Sequence, residues 1–195
     1  MTILLNELLQ GDCLDILPTL ASECVNLVLT DPPYLARYVD RSGRSIRNDD
    51  NEAWLKPAFA EIYRVLARDS YAGSFYGWPQ ADRFIEAWRA AGFRIAGHLV
   101  FPKRYPSNSH HVGYWHECAY LLAKGAPRAQ HVIPDVLPWE YTGNRLHPTE
   151  KPLAALTPSS GPSLPQVIGF LTRLPVPALP CLPQNKCAET TSASS

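Results

Sequence analysis

Three observations in this sequence predict an α/β fold. Val25, Leu27, Val28 and Leu29 form a short apolar run that ends at Thr30 and gives way to Asp31-Pro32-Pro33-Tyr34, the pattern of a buried parallel strand opening into a loop. Residues 52–67 and 80–91 each place apolar side chains at helical spacing. Strand-like stretches at 70–78, 93–103 and 117–123 complete the order strand, helix, strand, helix, strand, strand. At 195 residues the chain has a one-domain length and can bury a real core.

Each element has a local reason. Residues 3–9 are a short apolar piece, and Asp12 stands where it would cap a short helix from Cys13 to Leu20. In 52–67 the stripe is Leu55, Phe59, Ile62, Val65 and Leu66, with Pro57 in the first turns, where a missing N–H costs little. Phe84, Ile85 and Trp88 mark the buried side of the second helix, and Gly92 stops it. Residues 37–50 and 104–116 have no period and read as loops, and 124–146 is irregular.

Composition narrows the function. Lys plus Arg and Asp plus Glu are 18 each, so any affinity for nucleic acid must come from local charge. The five cysteines form no C-x-x-C pair, which suits reduced thiols in a cytoplasm. No run of apolar residues is long enough for a membrane span, and the N-terminus has no secretory pattern, so a soluble protein is expected. His110, His111 and His116 lack a carboxylate or cysteine at ligand spacing, and no metal site is predicted.

The chemistry converges on the loop after the first strand. Open α/β sheets bind ligands beyond the carboxyl ends of their strands, and Pro32 and Pro33 stiffen the turn that holds Asp31 there. The Asp31 carboxylate and the Pro32 carbonyl can accept both hydrogens of an amino group on a planar base, while Tyr34 stacks on the ring. The plain alternative is a strand-end turn with a capping Asp. For Arg37, Arg41, Arg44 and Arg47, phosphate contact competes with a solvated loop. The aromatic residues Tyr105, Tyr114 and Trp115 near Lys103 and Arg104 suit a DNA-facing loop or anchors on the core.

D-P-P-Y after an apolar strand resembles the signature of the beta-class amino-methyltransferases that modify adenine N6 or cytosine N4 in DNA. Gly11-Asp12-Cys13-Leu14 is similar to the family's G-D-x-L element, and His147-Pro148-Thr149-Glu150-Lys151-Pro152 to its H-P-x-x-K-P element. The resemblance covers residues 1 to about 157 and implies a Rossmann-like sheet in permuted order with S-adenosylmethionine as cofactor. It implies Asp31, Pro32, Pro33 and Tyr34 as catalytic, and Asp12, Cys13, His147, Pro148, Thr149, Lys151 and Pro152 as cofactor-binding. The partner it implies is double-stranded DNA with a flipped target base, adenine favoured; local charge makes Arg37, Arg41, Arg44, Arg47, Lys103 and Arg104 the expected DNA contacts.

The resemblance stops where the family continues into a strand and D-P-F-x-G-S-G. Residues 158–195 are instead rich in Pro and Ser, show no helical or strand period, and read as a disordered tail. Back-translating Leu164 to Pro180 and reading from the third base of each codon permits A-P-G-D-R-V-L-D-P-F-A-G-S-G-S-T. A one-base shift near Thr157 is therefore expected to have replaced the cofactor-loop half of the sheet. That leaves the 25–30 strand with an unpaired edge, and a methyltransferase chain expected to be inactive, the alternative being a non-catalytic DNA-binding fragment or a pseudogene product.

Overall fold

A computed structural model describes residues 9–39, 43, 45–107, 111–129 and 132–139, together with the backbone of 167–170. The chain order is α1 (Cys13–Ile16), β1 (Val25–Thr30), α2 (Leu55–Val65), β2 (Leu66–Phe75), α3 (Ala81–Ala91), β3 (Arg94–Ser107), β4 (Tyr114–Lys124) and β5 (Val167–Phe170). A 3-10 turn, Leu17–Thr19, extends α1, and a second, Trp78–Gln80, leads into α3. The five strands form one sheet in the order β3-β4-β2-β1-β5. β1 is parallel to β2 and to β5, while β4 is antiparallel to both β2 and β3. The carboxyl ends of β1, β2 and β3 and the start of β4 therefore share one end of the sheet.

The predicted helices and central strands are present, with shifts at their ends. The second helix yields to β2 at Leu66, because Leu66 pairs with Val25 before the ladder resumes at Leu27 and Tyr71. Asp69, at φ 55°, absorbs the irregularity, and its Oδ1 accepts from the Ala126 amide. Gly92 closes α3 in the left-handed conformation at φ 101°, a geometry that suits glycine. The loop expected at 104–116 is shorter, since β3 runs on to Ser107, which pairs with Tyr114.

Helices α2 and α3 cover one face of the sheet. Phe59, Phe84 and Trp88 are buried there with Val28, Ala72 and Leu122. Lys124 of β4 donates from Nζ to the Tyr63 and Leu66 carbonyls at 2.9 and 2.6 Å, satisfying acceptors at the end of α2. On the opposite face Phe75, Phe101 and Ala119 form a small second cluster with Tyr34, Leu99, Leu137 and Trp139 against it. Among the described residues no helix is long and apolar enough to cross a membrane.

β5 corrects an expectation. Residues 158–195 show no strand period, yet Val167–Phe170 pairs with Leu27–Thr30 and occupies the edge of β1 expected to be bare. Four residues are too few to display a period, and Val167-Ile168-Gly169-Phe170 is a proline-free window between Pro165 and Pro175. Its backbone can therefore satisfy the ladder that β1 exposes. The rest of that stretch, and the expected boundary at 157, lie outside the described residues.

Candidate active site at the carboxyl end of β1

β1 delivers Asp31-Pro32-Pro33-Tyr34 to the shared end of the sheet. Pro32 and Pro33 are buried, and Asp31 and Tyr34 are half-buried. The Tyr34 hydroxyl donates to Asp31 Oδ1 at 2.8 Å, so the first and last residues of the motif are tied across the turn. Burial, then the negative charges of Asp31 and Glu117, hold the Tyr34 phenol well above its ordinary range and keep it protonated. A Cβ on Gly77 would stand 2.6 Å from the Tyr34 carbonyl oxygen, so the exit of β2 passes directly against this residue. Only glycine permits that approach.

A cavity of about 410 Å³ opens beside Tyr34, lined also by Arg37, Asn51, Pro79, Gln80 and Arg83. The segment that follows the motif is strained, with Leu35 and Arg37 at φ 58° and 53°. Asp49 holds it there. Its buried carboxylate accepts from the Ala36 amide at 3.2 Å through Oδ1 and from the Tyr38 amide at 2.7 Å through Oδ2. Its carbonyl accepts from the Arg37 amide at 3.2 Å. Sequence reasoning missed Asp49, because an Asp inside a polar run gives no sign that it folds inward.

The residues expected to contact DNA separate into two groups. Arg37, Arg47 and Arg104 are exposed. Lys103 is not: its side chain is 2% exposed, and Nζ lies 2.8 Å from Glu117 Oε1 and also reaches Ser107 Oγ. Phe101 stands opposite Glu117 in the ladder, so Lys103, two residues on, shares its face and can reach across to the carboxylate. Its charge is spent inside the protein. Arg41 and Arg44 lie outside the described residues.

Of the expected cofactor residues, Asp12 caps α1 by accepting from the Leu14 amide at 3.1 Å, and Cys13 opens that helix half-buried. His147, Pro148, Thr149, Lys151 and Pro152 lie outside the described residues. Among the described residues no three His, Cys, Asp or Glu side chains stand together as metal ligands.

The DNA methylase family specific for N6 and N4 amino groups matches residues 25–144, from the start of β1 to beyond β4. The chain belongs to this family. It is 52% identical over 155 residues to YubD of Escherichia coli (strain K12), named as a candidate methylase, a match covering 79% of this chain and 68% of that protein. Two solved structures share the fold. The cytosine-N4-specific PvuII DNA methyltransferase aligns at TM-score 0.55 and 17% identity, over 73% of this chain and 64% of its own. The M1.HpyAVI–SAM complex aligns at TM-score 0.53 and 16% identity, over 75% of this chain and 69% of its own. The sheet of this family member is thus Rossmann-like, as in those DNA methyltransferases, with the D-P-P-Y loop at the carboxyl end of β1.

Proposed function

We propose that this chain carries the base-binding half of a DNA amino-methyltransferase whose target is an exocyclic amine, adenine N6 in preference to cytosine N4. The Asp31–Tyr34 arrangement supports this reading most directly. A protonated phenol bound to one carboxylate oxygen fixes the plane of Asp31, and the Pro32 carbonyl follows in the same rigid turn. Both acceptors draw hydrogen bonds from a base amine and localise its lone pair for in-line attack on a methyl group. No strong general base is needed. The preference for adenine rests on D-P-P-Y being the commoner adenine form of the motif.

The donor in this family is S-adenosylmethionine, which when bound supplies an electrophilic methyl group. Asp12 fits it as a half-buried carboxylate able to accept from the donor's adenine amine. His147, Pro148, Thr149, Lys151 and Pro152 would hold its methionine end. Arg37, Arg47 and Arg104, with Arg41 and Arg44, supply the local positive charge that duplex DNA requires. Lys103 acts instead through Glu117.

One observation favours a second reading, a DNA-binding fragment without catalysis. β5 lies parallel to β1, so its carboxyl end falls beside Asp31, and the residues that follow, Leu171-Thr172-Arg173-Leu174-Pro175, contain no glycine to let backbone approach a cofactor. Calorimetric titration with S-adenosylmethionine and transfer of labelled methyl to genomic DNA separate the two. Label transfer that disappears in Asp31→Ala assigns catalysis to this chain. DNA binding with no saturable cofactor binding assigns the fragment, and loss of neither property in Asp31→Ala removes Asp31 from the site.

A further inference from the structure

Trp78 is the largest exposed side chain near the site, and its exposure of 58% is unusual for an indole. One face of the ring packs on Tyr114 at 5.2 Å between centroids and 38° between planes. No hydrogen bond is formed by its ring N–H among the described residues. More than half of the indole is therefore left open to solvent.

Its placement follows from the sheet. Trp78 follows Gly77, the residue just beyond β2 that abuts Tyr34, and opens the 3-10 turn whose Pro79 and Gln80 line the 410 Å³ cavity. Tyr114 begins β4 at the same end of the sheet. Trp78 and Tyr114 therefore form a two-ring contact at the end of the sheet that carries the Asp31–Tyr34 loop. Arg104 near the carboxyl end of β3 is exposed, and Arg37 lines the cavity.

We propose that the exposed indole of Trp78 is a stacking platform for an unpaired DNA base, holding it at the mouth of the cavity that Tyr34 lines. The proposal rests on the base-binding reading above and adds a second aromatic contact to it. An indole face accepts any base, so it contributes retention rather than choice of base. A base already out of its helix is the preferred ligand, since it needs no unpairing. Arg37 and Arg104 take neighbouring phosphates.

The test is fluorescence anisotropy of two labelled duplexes, one fully paired and one with a single unpaired adenine, against the full chain. The wild-type chain should prefer the unpaired adenine. Trp78→Ala should erase that preference, a loss of about five-fold or more for one base–aromatic stack, while Trp78→Phe keeps most of it. Tyr114→Ala, which removes the ring beneath, should give a smaller loss with an unchanged melting temperature. Intrinsic emission should be quenched by the unpaired-adenine duplex in the wild type and not in Trp78→Phe. If Trp78→Ala retains the preference while Tyr34→Ala loses it, the base-binding reading stands and the platform is overturned. If the wild type shows no preference, or neither variant alters it, the base-binding reading fails and the platform with it.

Discussion

The two faces of the sheet are built by different rules. Under α2 and α3, Trp88 and Phe84 are fully buried and Phe59 meets Trp88 edge-on at 6.0 Å and 81°. Among the described residues, the apolar cluster on the opposite face is only Phe75, Phe101 and Ala119, packed with Tyr34 and with the 132–139 segment, whose Trp139 meets Phe101 at 6.1 Å. That segment is pinned by two backbone bonds, from the Val100 amide to the Asp135 carbonyl and from the Leu137 amide to the Val100 carbonyl. The helix face is chiefly apolar, with Lys124 bound to the Tyr63 and Leu66 carbonyls and the Tyr76 hydroxyl bound to His98. The other face carries the Lys103–Glu117 pair beside the D-P-P-Y motif. Close packing leaves little room for unpaired charge, so the interior of the helix face is filled mainly by aromatic and aliphatic side chains.

The contrast predicts where truncation hurts most. Trp88→Ala empties the centre of the helix face and should cost about 3 to 5 kcal/mol in urea unfolding. Trp139→Ala uncovers a half-buried ring and should cost about 1 to 2 kcal/mol. Equal losses would mean that the second cluster is as much a core as the first.

Next in size is the buried charge. Lys103→Met leaves Glu117 without its cation and should cost about 3 kcal/mol, less than for a fully enclosed partner because Glu117 is 23% exposed. Adding Glu117→Gln should recover most of that loss. A double variant as unstable as the single one would show that Lys103 is needed for its packed stem rather than its charge.

Asp49→Ala removes the acceptor for the Ala36 and Tyr38 amides and should cost about 2 kcal/mol. Hydrogen exchange should quicken at those two amides and at Arg37, with α2 and α3 unaffected. Uniform quickening would make Asp49 part of the global core rather than a local clamp on the strained segment.

Titration sharpens the comparison, because each face buries a phenol. Tyr34 on the site face and Tyr76 on the helix face are both held above the ordinary 10.0, chiefly by burial. The unfolded chain releases these protons first, so the stabilisation is complete below pH 10 and declines as pH rises beyond it. Tyr34→Phe should shrink this alkaline loss without abolishing it, since Tyr76 remains. Identical alkaline limbs in the two proteins would place Tyr34 in water.

The helix face was legible because apolar period is a local signal, and α2, α3 and β1 lie within two to three residues of where Phe59, Trp88 and Val28 imply. The position of Asp31 and Tyr34 in a turn at a strand end was legible because two prolines after an apolar run restrict what the backbone can do. The inward turn of Lys103 was not, since it depends on a cross-strand register that places Phe101 opposite Glu117. Asp49 was hidden for a related reason: its partners, Ala36 and Tyr38, are backbone amides displayed only by left-handed residues at 35 and 37. β5 was too short to read. The exposure of Trp78 depends on where β4 begins, three residues earlier than its apolar pattern suggests.

The smallest expected effect lies between neighbours, Lys103 and Arg104. Adjacent residues on a strand point to opposite faces, and here one cation is buried against Glu117 while the next is exposed. If DNA meets this end of the sheet, Arg104→Ala should lower the slope of log affinity against log salt by about 0.9, the release of one counterion. Lys103→Met with Glu117→Gln, which keeps the local net charge, should leave the slope where it was. Both slopes are read from duplex anisotropy at several salt concentrations, with the unfolding midpoint of each variant measured in parallel. A slope that falls for the Lys103 double variant and not for Arg104→Ala would reverse the assignment: the buried pair would have to open on binding and present its ammonium to phosphate.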